Sequence, residues 1–352
     1  DALYFLKNTL GPLWERAARR NNCGYNQTLG LVYYEYFLFC EDIGAEPLPV
    51  LPAAYNPHRH EAAPLEELDA WIQDALDLIE FANGNDMTGW GRVRAELGHP
   101  KSFRLKYLAI GNEELFAPFV ERFPYFRNAI KEKYPDIQVI SSVGPFADGE
   151  DFDWMWEEAE KAQADLVDEH YYMAPEWMLK HSHRYDAYKR SGPKVFLGEY
   201  ASLGNRFKNA LAEAAYMTGF EQNADKVSLA CYAPLLCNKD YVNWRPDLIW
   251  FEQTRVVKTA NYYVQKLFMN YQGAYHLSSV LEGGSFEKQP LHDISGQFNF
   301  ESENEEVIFH HICVNGMEVG TDVIFRKGKQ PMLFLQPEEG HLTLDFEFTK
   351  TA

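Results

Sequence analysis

The sequence predicts an α/β protein: a (β/α)8 TIM barrel followed by a small all-β module. Its 352 residues exceed the roughly 250 that such a barrel needs. Short apolar runs alternate with amphipathic helical segments up to about residue 270, as in parallel βαβ units. The runs are continuously hydrophobic, which is typical of strands buried on both faces.

Six strands are predicted in this alternating region, with helices before, between and after them. The predicted strands are 45–53, 105–111, 137–143, 166–172, 194–200 and 227–236, and the predicted helices are 29–42, 65–82, 117–133, 152–164, 176–190, 209–223 and 259–269.

A closed barrel needs eight strands, and one helix (29–42) already precedes the first predicted strand. We therefore expect residues 1–272 to form a catalytic barrel domain whose first two strands are missing from the chain, so that it starts after strand two. The alternative is an open, doubly wound sheet of six strands, which needs no missing piece. The residues at the strand ends favour the barrel.

The pattern changes after about residue 272. Short apolar runs separated by glycine, proline and charged turns predict a β-sandwich-like module over 273–352. Its predicted strands are 297–300, 306–314, 321–326, 332–336 and 342–349.

Composition excludes several classes of function. The formal net charge of −19 argues against a nucleic-acid or membrane partner. Five cysteines without C-x-x-C spacing argue against a disulfide framework, and no P-loop or GxGxxG run is present, so neither a metal nor a cofactor is expected. No targeting region is visible, which leaves the compartment open between cytoplasmic and secreted or periplasmic. Three histidine pairs lack a third ligand at metal-binding spacing: His58/His60, His181/His183 and His310/His311.

Candidate catalytic residues follow the predicted strands, because parallel barrels carry their chemistry at the carboxyl ends of strands. Glu113 follows one strand and Glu199 ends another, each close to a glycine. A glutamate after a strand is more often an ion-pair partner, but two in one alternating pattern match the acid and the nucleophile of glycoside hydrolysis.

Longer motifs resemble glycoside hydrolase family 51, the α-L-arabinofuranosidases. The likeness extends over residues 4–268. The motifs that carry it are NTLGP (8–12), the run 31–47 ending in CEDIGAEP, YLAIGNE (107–113), DEHYY (168–172), KVFLGEY (194–200), AEAAYMTG (212–219), YAPLL (232–236) and PDLIWF (246–251).

The resemblance implies roles for the two glutamates. Glu113 would end strand four as the general acid/base, and Glu199 would end strand seven as the nucleophile. A retaining double displacement would place the two carboxyl groups about 5–5.5 Å apart. Partial burial and the nearby Glu199 anion are expected to raise the pKa of Glu113.

Four further residues are predicted to bind substrate. The resemblance implies that Asn112 binds the sugar 2-hydroxyl and that Tyr172 hydrogen-bonds Glu199. Tyr171 and His170 are the remaining candidates, each with structural packing as an open alternative.

Neighbouring residues receive weaker predictions. Glu114 is expected to begin the loop after the acid, and Glu169 to point away from its strand neighbours. Trp244 and Trp250 are candidates for a sugar platform, with core packing as the alternative for Trp250.

The predicted function is release of α-L-arabinofuranosyl residues from arabinan- or arabinoxylan-type polysaccharides or oligosaccharides. The alternatives are an endo-acting β-glucanase or xylanase on the same barrel, and a truncated, non-catalytic carbohydrate-binding relative. The partner is an arabinose-containing saccharide, and the resemblance also implies a homo-oligomer.

Overall fold

The computed structural model describes residues 5–21, 24–87, 89–276, 306–314, 317–320, 323–326 and 344–350. It divides into two compact units, Asp1–Gln272 and Gly273–Ala352. The description of the first as a catalytic domain, and of the second as sandwich-like, stays a prediction.

The first unit is built on a six-stranded parallel sheet. Every strand lies beside the one that precedes it in the chain, whereas a doubly wound sheet reverses its strand order partway. The order is that of a barrel wall, and the doubly wound alternative is wrong. The strands are β1 (Val50–Leu51), β2 (Tyr107–Ile110), β3 (Gln138–Ser142), β4 (Leu166–Met173), β5 (Lys194–Ser202) and β6 (Val227–Tyr232).

Helices connect the strands as predicted, with two differences. A helix at Gly89–Glu96 was not expected, and the single helix expected over 176–190 is replaced by a short helix and a 3-10 turn at Arg184–Ala187. Within the described residues, no helix combines the length and apolarity needed to cross a membrane. The helices are α1 (Tyr33–Ile43), α2 (Leu68–Asn83), α3 (Gly89–Glu96), α4 (Phe116–Lys133), α5 (Glu150–Lys161), α6 (Pro175–Lys180), α7 (Phe207–Gln222) and α8 (Ala260–Asn270).

Strands β2 to β5 are buried on both faces, as their continuous apolar runs predict, whereas the middle of β6, at the edge of the sheet, is largely exposed. Larger clusters on the outer, helix-covered face include Val139, Val167 and Leu197. A smaller cluster fills the concave inner face, because alternate residues of a strand point to opposite sides. Its buried members are Ala109, Ile140, Leu166 and Phe196.

Three smaller sheets also belong to this unit. Two are antiparallel pairs, Arg19–Arg20 with Asn26–Gln27 and Tyr55–Asn56 with Glu61–Ala62. The third is mixed: Ile249–Glu252 pairs in parallel with Leu236–Asn238 and antiparallel with Arg255–Lys258. Further 3-10 turns lie at Leu6–Asn8, Leu13–Glu15, Leu65–Glu67 and Lys239–Tyr241.

The second unit contains a four-stranded antiparallel sheet. Its long strand, Glu306–Val314, pairs with all three others, which are Met317–Gly320, Val323–Arg326 and Leu344–Lys350. The strands predicted at 297–300 and 332–336 lie outside the described residues.

Candidate active site

The first predicted catalytic residue, Glu113, lies in a tight turn beyond the end of β2. Its backbone is left-handed, with φ +53°, as is that of Gly111 with φ +86°. A Cβ on Gly111 would come within 2.6 Å of the Phe119 ring, so only glycine fits this position. This turn lets successive side chains leave the chain in different directions.

Glu114, the next residue, is an internal anchor. Its side chain is buried and accepts the Ala53 backbone N–H at 3.1 and 3.2 Å from its two oxygens. Burial raises the pKa of Glu114 well above its usual range. Glu114 lies in the loop after β2, as expected, and it also ties the segment after β1 to the end of β2.

Strand β4 supplies three polar side chains to the inner face. Asp168, His170 and Tyr172 occupy alternate positions and meet the other site residues, as the distances below show. Glu169 and Tyr171 point to the helix-covered side, where Glu169 is fully buried against the Tyr185 hydroxyl. The prediction that Glu169 faces away from its neighbours is confirmed.

Strand β5 presents Glu199 through a β-bulge. Glu169 pairs with Leu197 but His170 pairs with Glu199, so Gly198 is an extra residue without a partner. A Cβ at Gly198 would lie 2.1 Å from Asp168 Oδ1, while its N–H donates to that oxygen at 3.0 Å. Because the bulge breaks the period of two, Glu199 turns to the inner face.

His170 joins these strand ends. Its Nδ1 lies 3.2 Å from Glu113 Oε1 and 3.7 Å from Glu199 Oε1, and its Nε2 lies 3.1 Å from Asp168 Oδ2. The Tyr172 hydroxyl donates to Glu199 Oε2 at 2.7 Å.

The two glutamates are close to each other and to solvent. One oxygen of Glu113 and one of Glu199 lie within 4.8 Å of each other, and His170 Nδ1 is within the same distance of both. The glutamate side chains keep 22% and 32% of their surface exposed, so a ligand can reach them. One histidine and two carboxylates are also a set that can ligate a divalent metal.

The charges around His170 set its protonation and that of Glu113. Burial opposes the imidazolium, but Asp168, Glu113 and Glu199 outweigh it and hold the pKa of His170 well above its usual 6.5. The hydrogen bond from His170 in turn lowers the pKa of Glu113, although burial acts against it. The expectation of a raised pKa at Glu113 is therefore wrong, because His170 places a hydrogen-bond donor and a positive charge beside its carboxylate.

The other predicted binding residues divide between the site and the core. Asn112 is exposed beside Glu113, and Trp244 packs edge-on against Tyr172 with ring centroids 5.3 Å apart. Tyr171 is buried on the outer face, where its hydroxyl contacts those of Tyr185 at 2.8 Å and Tyr216 at 2.6 Å. The structure thus separates Tyr171 from the candidate site, which corrects its prediction as a binding residue.

The contacts of Trp250 are with residues of its own segment. Its indole N–H donates to the Asp247 carbonyl at 3.2 Å, and the Arg245 guanidinium lies 5.1 Å from its ring centroid.

Sequence reasoning missed Asp168, which contacts both His170 and the bulge before Glu199. A signal was available, because residues 168, 170 and 172 share one face of a strand. Asp168 is only 3% exposed, and both of its oxygens are engaged, so it holds two strand ends in a fixed relation.

Comparisons with known proteins identify the family to which the chain is similar. Residues 1–190 match the family described as the α-L-arabinofuranosidase 1 domain, and residues 188–350 match the α-L-arabinofuranosidase C-terminal domain. An extracellular exo-α-L-arabinofuranosidase from Streptomyces chartreusis is 57% identical over 273 residues, which are 77% of this chain and 33% of that protein. α-L-Arabinofuranosidase 2 from Arabidopsis thaliana is 37% identical over 72% of this chain and 37% of its own length.

A solved structure shows the same fold. An arabinose-bound GH51 α-L-arabinofuranosidase superposes with a TM-score of 0.68 at 31% identity, covering 75% of this chain and 44% of that one. The chain spans about a third of the length of these two curated relatives. One family match takes in more than half of its residues. The chain therefore belongs to the α-L-arabinofuranosidase family, glycoside hydrolase family 51.

Proposed function

We propose that the protein is a retaining glycoside hydrolase that releases α-L-arabinofuranosyl residues from arabinan- or arabinoxylan-type saccharides. The observation that carries the proposal is the pair Glu113 and Glu199, whose nearest carboxylate oxygens lie within 4.8 Å at the ends of two strands. Retaining glycosidases place their carboxyl groups about 5–5.5 Å apart, whereas inverting enzymes leave about 6.5–9.5 Å for a water molecule.

In the first step Glu199 attacks the anomeric carbon and forms a covalent arabinosyl ester. The Tyr172 hydroxyl, 2.7 Å from Glu199 Oε2, leaves Oε1 as the attacking atom and keeps the carboxylate from rotating. As the C–O bond to the leaving group breaks, Glu113 donates a proton to the departing oxygen.

The proton for this step is held by the pair of His170 and Glu113. In the free site it is on the imidazole, since the pKa of His170 is raised and that of Glu113 is lowered. Transfer along the 3.2 Å contact to Glu113 Oε1 gives a neutral imidazole and a protonated acid. Such a pair titrates as a unit.

In the second step Glu113, now a carboxylate, removes a proton from water while that water attacks the ester. The arabinose leaves with its original anomeric configuration, and Glu199 is regenerated as a carboxylate. Esterification of Glu199 also removes one negative charge from the surroundings of His170. Asn112, exposed in the turn beside Glu113, would contact the bound sugar.

The test uses p-nitrophenyl α-L-arabinofuranoside and the variants Glu113→Gln and Glu199→Gln. Loss of the acid/base is expected to lower kcat about 10²–10⁴-fold, and loss of the nucleophile at least as much. Azide should restore turnover of the Glu113 variant and yield an arabinofuranosyl azide, because it can attack the ester without base catalysis. Turnover that survives in both variants would exclude the proposed roles.

A parallel measurement separates the alternatives from this function. An endo-acting enzyme would cleave linear glucan or xylan and leave the arabinofuranoside intact. A non-catalytic relative would bind arabino-oligosaccharides in calorimetry and release no arabinose.

A further inference from the structure

We propose that Glu113, His170 and Glu199 form a binding site for Zn²⁺ or a similar divalent transition metal, which inhibits the protein by competing with substrate. Binding of the metal is independent of the proposed function. The inhibitory effect rests on that function, because the metal would occupy the acid/base and the nucleophile.

Two of the three separations among the ligand atoms are close to those of a zinc tetrahedron. Bonds of about 2.0–2.1 Å imply ligand-to-ligand distances of about 3.3 Å. His170 Nδ1 lies 3.2 Å from Glu113 Oε1 and 3.7 Å from Glu199 Oε1. The third edge, between the two oxygens, is within 4.8 Å and shortens when the partly exposed Glu113 side chain rotates.

The fourth position of this tetrahedron would remain open. Glu113 and Glu199 both face solvent in part, so water or a sugar hydroxyl can complete the coordination. Three protein ligands with one open position are the arrangement of catalytic zinc sites, in contrast to closed structural ones.

The surroundings of His170 favour a metal. Asp168 accepts the Nε2 hydrogen at 3.1 Å, which directs the other ring nitrogen toward the carboxylates. Metal-binding histidines almost always have such a carboxylate or carbonyl partner behind them. Three carboxylates against one imidazolium also leave an excess of negative charge, and a dication that replaces the Nδ1 proton reduces it.

The ligand types select among metals. A nitrogen ligand suits Zn²⁺, Co²⁺ or Cu²⁺, whereas Mg²⁺ and Ca²⁺ prefer sites made of oxygen alone. We expect Mg²⁺ and Ca²⁺ to have little effect at concentrations at which Zn²⁺ inhibits.

Calorimetric titration of the full chain with zinc chloride, in the absence of substrate, tests the site directly. One Zn²⁺ per chain is expected. His170→Gln should abolish this binding, and Asp168→Asn should weaken it about 10–100-fold. The control is His183→Gln, which removes the exposed His183–Asp186 contact of 3.2 Å and should bind zinc like the parent protein.

Kinetics and spectroscopy give independent readouts. Zn²⁺ should raise the apparent KM for the arabinofuranoside without changing kcat, and EDTA should reverse this. Co²⁺ should show visible d–d absorption of tetrahedral intensity, which His170→Gln removes while its far-ultraviolet circular dichroism stays that of the parent.

Absence of zinc binding, equal affinity in the folded His170 variant, or a fall in kcat at constant KM would overturn the proposal. A chain that binds zinc but hydrolyses no arabinofuranoside would contradict only the proposed function. An active chain that binds no zinc would contradict only the metal site.

Discussion

The two faces of β4 differ in charge balance: the buried charges are paired on the outer face and unequal in number on the inner face. On the outer face one carboxylate, Glu169, meets one guanidinium, Arg184, at 3.8 Å. Glu169 is fully buried and also accepts hydrogen bonds of 2.9–3.0 Å from Trp156, Tyr185 and Tyr188. On the inner face, one imidazole is surrounded by three carboxylates.

This difference in charge balance indicates that the outer-face residues of β4 stabilise the fold, whereas its inner-face residues take part in the chemistry. The outer cluster satisfies each oxygen of Glu169 with a fixed donor, and Arg184 packs over surrounding aromatic rings, including that of Phe152 at 4.9 Å. The inner cluster is unbalanced and open to solvent, so its protons can move and its carboxylates can react. Because strand residues alternate between the faces, neighbouring substitutions should have unlike effects.

The largest effect is expected from Glu169→Gln. It leaves the Arg184 charge buried without its counterion and should lower the free energy of unfolding by about 3–5 kcal/mol, with kcat of the folded protein unchanged. Urea denaturation measures this. The control, Glu176→Gln, breaks the exposed ion pair with Lys208 and should leave the midpoint in place. If the two variants were equally stable, the outer cluster would not be the structural element described.

Gly198→Ala should affect the inner face. Its Cβ would meet Asp168 Oδ1 at 2.1 Å, so the bulge must shift and Glu199 with it. A displacement of about 1 Å costs on the order of 10²-fold in rate, which kcat/KM for the arabinofuranoside would report. Gly30→Ala is the control, because its Cβ would meet only the hydroxyl of the exposed Thr28 side chain, at 3.3 Å, and that side chain can move away. Unchanged kcat/KM in the Gly198 variant would show that the bulge does not position the nucleophile.

The adjacent tyrosines allow the same substitution on both faces. Tyr172→Phe removes a hydrogen bond to a charged carboxylate and should lower kcat about 10-fold with little change in stability. Tyr171→Phe removes the hydroxyl contacts with Tyr185 and Tyr216 and should lower the free energy of unfolding by about 1–2 kcal/mol with kcat unchanged. Each variant is the control for the other, and an exchange of the two results would contradict the assignment of faces.

The smallest expected effect is a displacement of the pH profile. The pair of His170 and Glu113 retains its proton up to the raised pKa of His170, well above 6.5. In His170→Gln, Glu113 titrates without that partner and loses its proton at lower pH. The basic limb of the kcat/KM profile should therefore move at least about one unit toward acid. His183→Gln should leave the limb in place, and an unmoved limb in the His170 variant would exclude the shared proton.

Much of the barrel could be predicted from the sequence, because its strands are continuous apolar runs. The predicted strand 166–172 and the observed Leu166–Met173 differ by one residue, and 194–200 and Lys194–Ser202 begin together. Position at a strand end suggested Glu113 and Glu199, the family resemblance implied their roles, and the structure brings the two residues together.

Features that depend on tertiary contacts could not be predicted in the same way. Helix α3 begins at a glycine, contains a second one and has little apolar pattern. It is fixed by buried Arg94, which donates to the Phe81 carbonyl at 2.6 Å and the Gly84 carbonyl at 2.9 Å. The helix expected over 176–190 is interrupted where Arg184 turns inward to Glu169. The bulge at Gly198 depends on the hydrogen-bond register between two strands, and amino-acid composition does not determine that register.

The left-handed backbone conformation of Glu113 sets stability against function at this position. A non-glycine residue in that conformation costs about 1–2 kcal/mol, and glycine would adopt it freely. Selection for thermal stability alone would thus favour glycine at this position over the glutamate. If a lineage keeps the glutamate, selection must act on the function of its carboxylate. Laboratory evolution for heat resistance without an activity screen should therefore replace Glu113 early.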